Sequence, residues 1–227
     1  MEITYYGHSC FAVKAGDKVL LFDPFISENP LAKHIDVDAI QANYIFISHG
    51  HLDHVVDVEK IGKRTAAKII SSYEIVDWFE KKNLHGHPMN FGGPFKFEFG
   101  TVRMVAAVHS SSLPDGAYAG NPGGFLVETD EGNFYFAGDT ALTLDMKLIP
   151  LFTKLDFAFL PIGSNFTMDY NDAVLAADFI ECKKIIGMHY DTFGYIKINQ
   201  ADAQKKFSEN GKQLMLMEIG STILLKK

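Results

Sequence analysis

The sequence is poor in cysteine and has no excess of basic residues. Only Cys10 and Cys182 are present among 227 residues. Both lie in apolar stretches, so we expect two buried free thiols and no disulfide. Lys and Arg number 21 against 28 Asp and Glu, which gives a formal net charge of -7. Because nucleic acids are bound through clustered cations, we expect no nucleic-acid partner and favour a small-molecule substrate.

Long hydrophobic runs and linker-like segments are also absent. No apolar stretch approaches the roughly 20 residues that a membrane-spanning helix needs, and Met1–Thr4 lacks the features of a signal peptide. We therefore expect a cytoplasmic protein without a membrane partner. Hydrophobic residues make up 47% of the chain, which is sufficient for a large core. Because no proline-rich or serine-rich linker interrupts the chain, we expect one domain over residues 1–227.

The hydrophobic pattern predicts short strands first and an alternation of helices and strands later. A meander of three strands opens the chain, and a strand at Tyr44–Ser48 leads into a cluster of histidines. The remaining predicted strands are Phe95–Phe99, Thr101–Val108, Gly124–Thr129, Asn133–Ala137, Phe157–Leu160, Lys184–Met188, Leu214–Met217 and Thr222–Leu225. The predicted helices are Tyr73–Asn83, Thr143–Phe152, Asn171–Glu181 and Asn199–Ser208. This order predicts an α+β protein with sheets packed between helical layers.

The cluster follows the Tyr44–Ser48 strand and contains His49, His51, Asp53 and His54. Neutral imidazoles and carboxylates are ligands for Zn²⁺, Mn²⁺ and Fe²⁺, and four such groups within six residues can serve two adjacent ions. A solvated polar loop is the alternative interpretation. The density of histidines directly after a β-rich strand favours metal binding.

Three more candidate ligands stand at the ends of apolar strands: His109, Asp139 and His189. Each of them alone is more typical of a capping or hydrogen-bonded residue than of a ligand. Their shared position at strand ends, together with the cluster, favours a common metal site.

The order His-x-His-x-Asp-His, a distant His, Gly138-Asp139-Thr140 and a late His resembles the metallo-β-lactamase superfamily along nearly the whole chain. The details resemble a branch of uncharacterised metal-dependent hydrolases related to L-ascorbate-6-phosphate lactonase. The motifs that carry this second resemblance are Gly7-His8-Ser9-Cys10, Asp23-Pro24-Phe25, Pro161-Ile162-Gly163, Asn165-Phe166-Thr167-Met168 and His189-Tyr190-Asp191-Thr192-Phe193.

The resemblance implies a four-layer αββα sandwich, the metallo-β-lactamase fold, with the site at one edge of the two sheets. It also implies that one ion is held by His49, His51 and His109, and that Asp53, His54 and His189 hold the other. Asp139 then bridges the two ions. The sequence departs from the family pattern at Ser164, where the family often carries an acidic residue.

Such a site is typical of a hydrolase. Two ions about 3.5–4 Å apart bind a water between them, lower its pKa and supply hydroxide. Asp53 is the candidate catalytic residue that orients this nucleophile and accepts its proton. Zinc is the first expectation for both ions, with manganese, iron or nickel as alternatives.

The substrate class stays open at this point. We expect a small polar ester or lactone, with or without a phosphate group, and a phosphodiester as the alternative. A di-iron redox protein and a non-catalytic metal-binding or sensing protein are the rival interpretations. The sequence leaves the oligomeric state open, including a homo-oligomer.

Four further residues are candidates for contacts with substrate or with the ligands: His8, Asp23, Ser110 and Asn165. Each has an ordinary alternative, as a hydrogen-bonded strand end, a turn former or a loop residue. Aromatic side chains next to the motifs are candidates for the substrate entrance, namely Phe25, Phe166, Tyr190 and Phe193. We interpret His85 and His87 as loop residues outside the site.

Overall fold

Two seven-stranded β-sheets form the centre of the protein, in a computed structural model that describes residues 1–225. The strand order is β14-β1-β2-β3-β4-β5-β6 in the first sheet and β13-β12-β11-β10-β9-β8-β7 in the second. The strands are β1 Glu2–Gly7, β2 Cys10–Ala15, β3 Lys18–Phe22, β4 Tyr44–Phe46, β5 Lys68–Ser72, β6 Gly86–Met89, β7 Phe95–Phe97, β8 Gly100–Ala106, β9 Gly123–Thr129, β10 Gly132–Phe136, β11 Phe157–Pro161, β12 Lys184–Met188, β13 Gln213–Met215 and β14 Thr222–Leu224.

Helices pack against both sheets, so the predicted αββα sandwich is confirmed. The α-helices are α1 Leu52–Val55, α2 Val58–Thr65, α3 Tyr73–Glu80, α4 Ile149–Phe152, α5 Tyr170–Phe179 and α6 Gln200–Glu209. Short 3₁₀ segments occur at Val37–Ala39, Leu144–Leu148 and Gly194–Ile196. No helix within the described residues has the length and apolar character to cross a membrane.

Phenylalanine side chains fill the space between the two sheets. The ring of Phe22 lies 4.6 Å from that of Phe46 in its own sheet and 4.6 Å from that of Phe136 in the other. Phe11 and Phe159 make a second contact across the sheets, at 4.7 Å. Each fully buried ring contributes about 1.5–3 kcal/mol of transfer free energy. This aromatic core fixes the two sheets relative to each other and therefore positions the loops at their edge.

Parallel strand pairs occur in both sheets, at β3-β4-β5-β6 and at β10-β11-β12-β13. The carboxyl ends of parallel strands meet at one edge of a sheet. Three of the candidate ligand segments follow such ends: the cluster after β4, Asp139 after β10 and His189 after β12. Strand topology therefore gathers residues that are far apart in the sequence.

The structure corrects two of the predicted elements. His87 lies in β6, where its ring packs 4.0 Å from that of Phe95, so the prediction of a loop was wrong for His87. The predicted helix Thr143–Phe152 is a 3₁₀ segment followed by α4, with Pro150 in the first turn of α4. Proline lacks the N–H that a continuous helix would need there, so the segment divides.

Candidate metal centre

The histidine cluster lies on the connection between β4 and α1. His49 is fully buried, and His51 occupies the position just before α1. Asp53 and His54 then fall in the single turn of that helix. A strand followed at once by a helical turn thus brings four candidate ligands of one short segment to the same edge.

One oxygen of Asp139 is the meeting point of four imidazoles. Gly138 precedes it with a φ of +62°, and a Cβ at Gly138 would lie 2.6 Å from that of Ser48, so glycine permits this close approach. The Oδ2 atom of Asp139 lies close to the Nε2 atoms of His189 at 2.9 Å, His54 at 3.5 Å, His109 at 3.6 Å and His49 at 4.0 Å. Histidines from three separate segments of the chain therefore converge on a single carboxylate oxygen.

The carboxylate of Asp53 is a second meeting point. Its Oδ2 atom lies 3.0 Å from Nε2 of His8 and 3.8 Å from the Nε2 atoms of His54 and His189. Burial lowers the pKa of His8 to about 4, so this imidazole is neutral. His8 donates from Nε2 to Asp53, while its Nδ1, 2.9 Å from Oγ1 of Thr192, accepts from that hydroxyl.

The carboxylate of Asp23 orients two candidate ligands, His54 directly and His49 through Ser48. Its Oδ2 atom accepts from Nδ1 of His54 at 2.8 Å and from the Ser48 hydroxyl at 2.6 Å. Because that hydroxyl donates to Asp23, it accepts from Nδ1 of His49 at 2.9 Å. Both imidazoles therefore donate from Nδ1 and turn Nε2 toward the centre. This arrangement is the carboxylate–histidine pairing that supports metal ligands.

His51 turns Nδ1, rather than Nε2, toward the other candidate ligands. Its Nε2 atom lies 3.3 Å from Oγ of Ser110, while its Nδ1 atom lies 3.0 Å from Nε2 of His49. If Nε2 of His51 donates to Ser110, the lone pairs of His51 and His49 point toward each other. Two facing lone pairs repel unless a cation lies between them, and ligands of a tetrahedral Zn²⁺ are separated by about 3.3 Å.

Carboxylates and imidazoles shift one another's pKa values strongly at this edge. Burial alone raises the pKa of Asp139, but the charges of His189 and His54 outweigh it and hold the pKa well below its usual value. Burial of His189 lowers its pKa, yet the neighbouring Asp139 carboxylate reverses the effect and raises it to about 9. Burial lowers the pKa of His49 well below its ordinary value, which keeps that imidazole available as a neutral ligand.

Buried polar atoms without a hydrogen-bond partner also fit a metal site. Nε2 of His54 and Oδ1 of Asp139 are buried and have no hydrogen-bond partner in the described part of the chain. Ligand atoms of two sets lie within 4.8 Å of one another: His49 with His51 and His109, and Asp53 with His8, His54 and His189. Buried polar atoms without a partner are uncommon in a packed core and suit direct contact with a metal ion. The residues present therefore fit divalent metal ions.

Comparison with known proteins identifies the family. Residues 2–189 match the model described as the beta-lactamase superfamily domain. A UPF0173 metal-dependent hydrolase of Flavobacterium johnsoniae is 57% identical over 225 residues, with 99% of this chain and 100% of that protein covered. The chain belongs to this family of metal-dependent hydrolases.

Solved structures agree with this assignment. Igni18, a metallo hydrolase from the archaeon Ignicoccus hospitalis, shares 33% sequence identity with a TM-score of 0.89, over 98% of this chain and 97% of that one. The isothiocyanate hydrolase from Delia radicum gut bacteria has a TM-score of 0.81 at 16% identity, over 100% and 99% of the two chains. The second likeness shows the fold alone.

Not every predicted residue of this metal-dependent hydrolase reaches the centre. His8, Asp23 and Ser110 contact candidate ligands, whereas Asn165 is exposed and has no hydrogen bond to the cluster within residues 1–225. The sequence analysis did not single out Ser48 and Thr192. Their hydroxyls hydrogen-bond to Nδ1 of His49 and Nδ1 of His8, respectively. The signals available were the position of Ser48 directly before His49 and the place of Thr192 in the family motif that begins at His189.

Aromatic side chains surround one side of the hydrolase's centre. The rings of Phe25 and Phe193 lie 5.5 Å and 5.4 Å from the ring of His8. Phe166 is exposed and contacts the exposed ring of Tyr195 at 6.2 Å. Tyr190 is 6% exposed and therefore belongs to the core more than to an entrance. Phe193, which is partly exposed, is the aromatic residue best placed to contact a substrate near His8 and Asp53, whereas Phe25 is 4% exposed and belongs to the core.

Substitution of Asp23 by asparagine is expected to weaken metal binding of the hydrolase by about 10–100-fold, because two ligand imidazoles lose their common acceptor. The side chain keeps its size, so the protein is expected to fold. Competition with a coloured chelator measures the affinity, and Asp57→Asn, at a buried carboxylate that accepts from the backbone N–H groups of Ile26 and Ser27, serves as the comparison. Unchanged affinity in Asp23→Asn would show that Asp23 is only a turn residue.

Proposed function

We propose that this hydrolase holds two divalent metal ions and cleaves a small polar ester or lactone. The supporting observation is the position of Asp139, one oxygen of which lies within 4.0 Å of four imidazole nitrogens that belong to both ligand sets. In this proposal His49, His51 and His109 hold one ion, and Asp53, His54 and His189 hold the other. Asp139 bridges them, and zinc is the first expectation for both ions.

The bound ions would lower the pKa of a water at this edge and supply hydroxide near neutral pH. Asp53 is the residue that orients the attacking water and accepts its proton. It suits this role because its side chain is 27% exposed, whereas that of Asp139 is 2% exposed. His8 donates to Asp53 at 3.0 Å and so fixes the direction of the carboxylate. His8 is therefore a positioning residue in this proposal.

The charges at the centre favour a substrate without a phosphate group. Within the described residues, Asp23, Asp53 and Asp139 form ion pairs only with histidines, and no Lys or Arg joins them. A phosphorylated substrate would have to rely on the ions alone for its extra charge. The partly exposed ring of Phe193 instead offers an apolar surface beside His8. A relation of this chain to L-ascorbate-6-phosphate lactonase stays a prediction.

A substrate panel tests this function. The metal-loaded protein is assayed with γ-lactones, p-nitrophenyl acetate and bis(p-nitrophenyl) phosphate, and kcat/KM is compared. We expect lactones or the ester to be preferred, and the Asp53→Asn variant to lose about 10²–10⁴-fold in rate. A preference for the phosphodiester would replace the proposed substrate class. Absence of turnover on every substrate by a fully metal-loaded protein would favour the non-catalytic metal-binding alternative.

A further inference from the structure

Two loops at the metal edge of the second sheet carry exposed aromatic rings that the proposed chemistry does not use. The loop after β11 contains Phe166, which is 51% exposed, and the loop after β12 contains Tyr195, which is 79% exposed. Their ring centres lie 6.2 Å apart in an edge-to-face arrangement. Exposed rings that contact each other form an apolar patch, and such patches are typical of binding sites.

The loop that carries Phe166 is anchored beside two candidate metal ligands. Gly163 packs against the backbone of His189, because a Cβ at Gly163 would overlap the carbonyl oxygen of His189. On the other side of Phe166, the N–H of Met168 donates to the carbonyl of Thr140, the residue after Asp139. This loop is therefore held next to the metal centre on both sides of its exposed ring.

The loop that carries Tyr195 begins at a candidate ligand, His189. Phe193 in this loop is partly exposed, and its ring lies 5.4 Å from the ring of His8. Tyr195 follows two residues later, in a 3₁₀ segment. The same loop therefore carries one aromatic side chain beside His8 and another in contact with Phe166.

The backbone directly before Phe166 is strained. Ser164 and Asn165 have φ values of +68° and +57°, in the left-handed region. Asparagine tolerates this conformation, but it is unfavourable for serine. Strain of this kind is concentrated in segments that contact ligands. The strained turn thus favours a binding role for the Phe166 loop over a purely structural one.

The segments around the metal centre contain no Lys or Arg. Five segments carry or adjoin the candidate ligands: residues 48–57, 107–113, 138–146, 161–169 and 189–196. A substituent with negative charges would therefore find no cationic side chain in these segments to pair with it. An uncharged apolar substituent needs none, because it gains free energy from the apolar area that it covers.

We propose that Phe166, Phe193 and Tyr195 form an aromatic rim that binds an alkyl or aryl substituent of the substrate. This inference rests on the proposed function, in which the polar ester or lactone group lies at the ions. The three rings are specificity-determining residues, because they contact the substituent and not the reacting atoms. Since the rim is open to solvent, we expect about a twofold gain in affinity per methylene, which is half of the free energy of complete burial.

Carboxylates, which are the acid products of ester hydrolysis, test the rim without turnover. Isothermal titration calorimetry of the metal-loaded protein compares hexanoate with acetate, which has the same carboxylate but lacks about four methylenes. We expect hexanoate to bind about 10-fold more tightly. In the double variant Phe166→Ala with Tyr195→Ala, the preference should fall below about 3-fold. Phe95→Ala is the matched control, because Phe95 is 45% exposed on strand β7 and should not affect the preference.

Three results would overturn the aromatic rim. The first is equal affinity of the wild-type protein for the two carboxylates, and the second is absence of hexanoate binding up to about 10 mM. The third is an unchanged preference in a double variant that melting curves show to be folded, which would place hexanoate on another apolar surface.

Failure of the rim and failure of the proposed reaction give different results. A rim-dependent preference for hexanoate in a protein that hydrolyses no ester or lactone would support the rim and contradict the reaction. Hydrolysis of γ-lactones by a protein that binds hexanoate and acetate equally would support the reaction and contradict the rim.

Discussion

Replacement of Asp139 by asparagine is expected to remove at least one metal ion and to lower hydrolysis by more than about 100-fold. Loss of a residue that hydrogen-bonds to a metal ligand lowers metal affinity or activity about 10–100-fold. Loss of a ligand shared by two ions should lower them further. Asn has the shape of Asp but lacks the charge that faces the Nε2 atoms of His49, His54, His109 and His189. Elemental analysis of the purified variant counts the ions, and kcat/KM on the best substrate measures the hydrolysis.

Asp17→Asn is a suitable control for this variant, because the Asp17 side chain is 85% exposed in a turn remote from the centre in sequence. It should keep both ions and full activity. An Asp139→Asn protein with the metal content of the wild type would show that Asp139 does not bridge the ions, even if hydrolysis fell.

Removal of metal is expected to abolish hydrolysis while the protein stays folded. The core between the sheets does not depend on the ions, because it consists of side chains such as Phe11, Phe22, Phe136 and Phe159, all fully buried. Ligand binding stabilises only the folded state, so the melting temperature should fall without loss of cooperativity. Circular dichroism and thermal melting before and after dialysis against a chelator measure both effects.

Addition of zinc to the metal-free protein should restore activity and the original melting temperature. Loss of the cooperative transition in the metal-free protein would instead indicate a structural metal site, of the kind that holds small domains together. Full activity after verified metal removal would exclude metal-dependent hydrolysis altogether.

Most of the fold followed from hydrophobic pattern, and the exceptions have physical causes. β6 was missed because it is four residues long and contains Pro88. Proline is tolerated there because β6 is an edge strand among the described residues, where it pairs with β5. The pairing of β14 with β1 joins the two ends of the described chain, at Leu224 and Glu2. Such a contact depends on the packing of the whole sheet, and local pattern carries no information about it.

The candidate site was predictable to the extent that each ligand ends an apolar strand. His109, Asp139 and His189 share that position, and family resemblance divided them between two ions. Their outer partners were harder to predict, because Ser48 and Thr192 are common residue types in ordinary positions. Asn165 belongs to the family motif but is exposed, so motif membership did not place its side chain near the ligands. The prediction of a single domain over residues 1–227 stays a prediction.

The number of metal ions per chain tests the account most directly. Native mass spectrometry of the metal-free protein during titration with Zn²⁺ distinguishes one bound ion from two without any knowledge of the substrate. We predict saturation at two ions per chain in the wild type and at one or none in Asp139→Asn. Saturation of the wild type at a single ion, or no specific binding, would contradict a dinuclear centre built on Asp139.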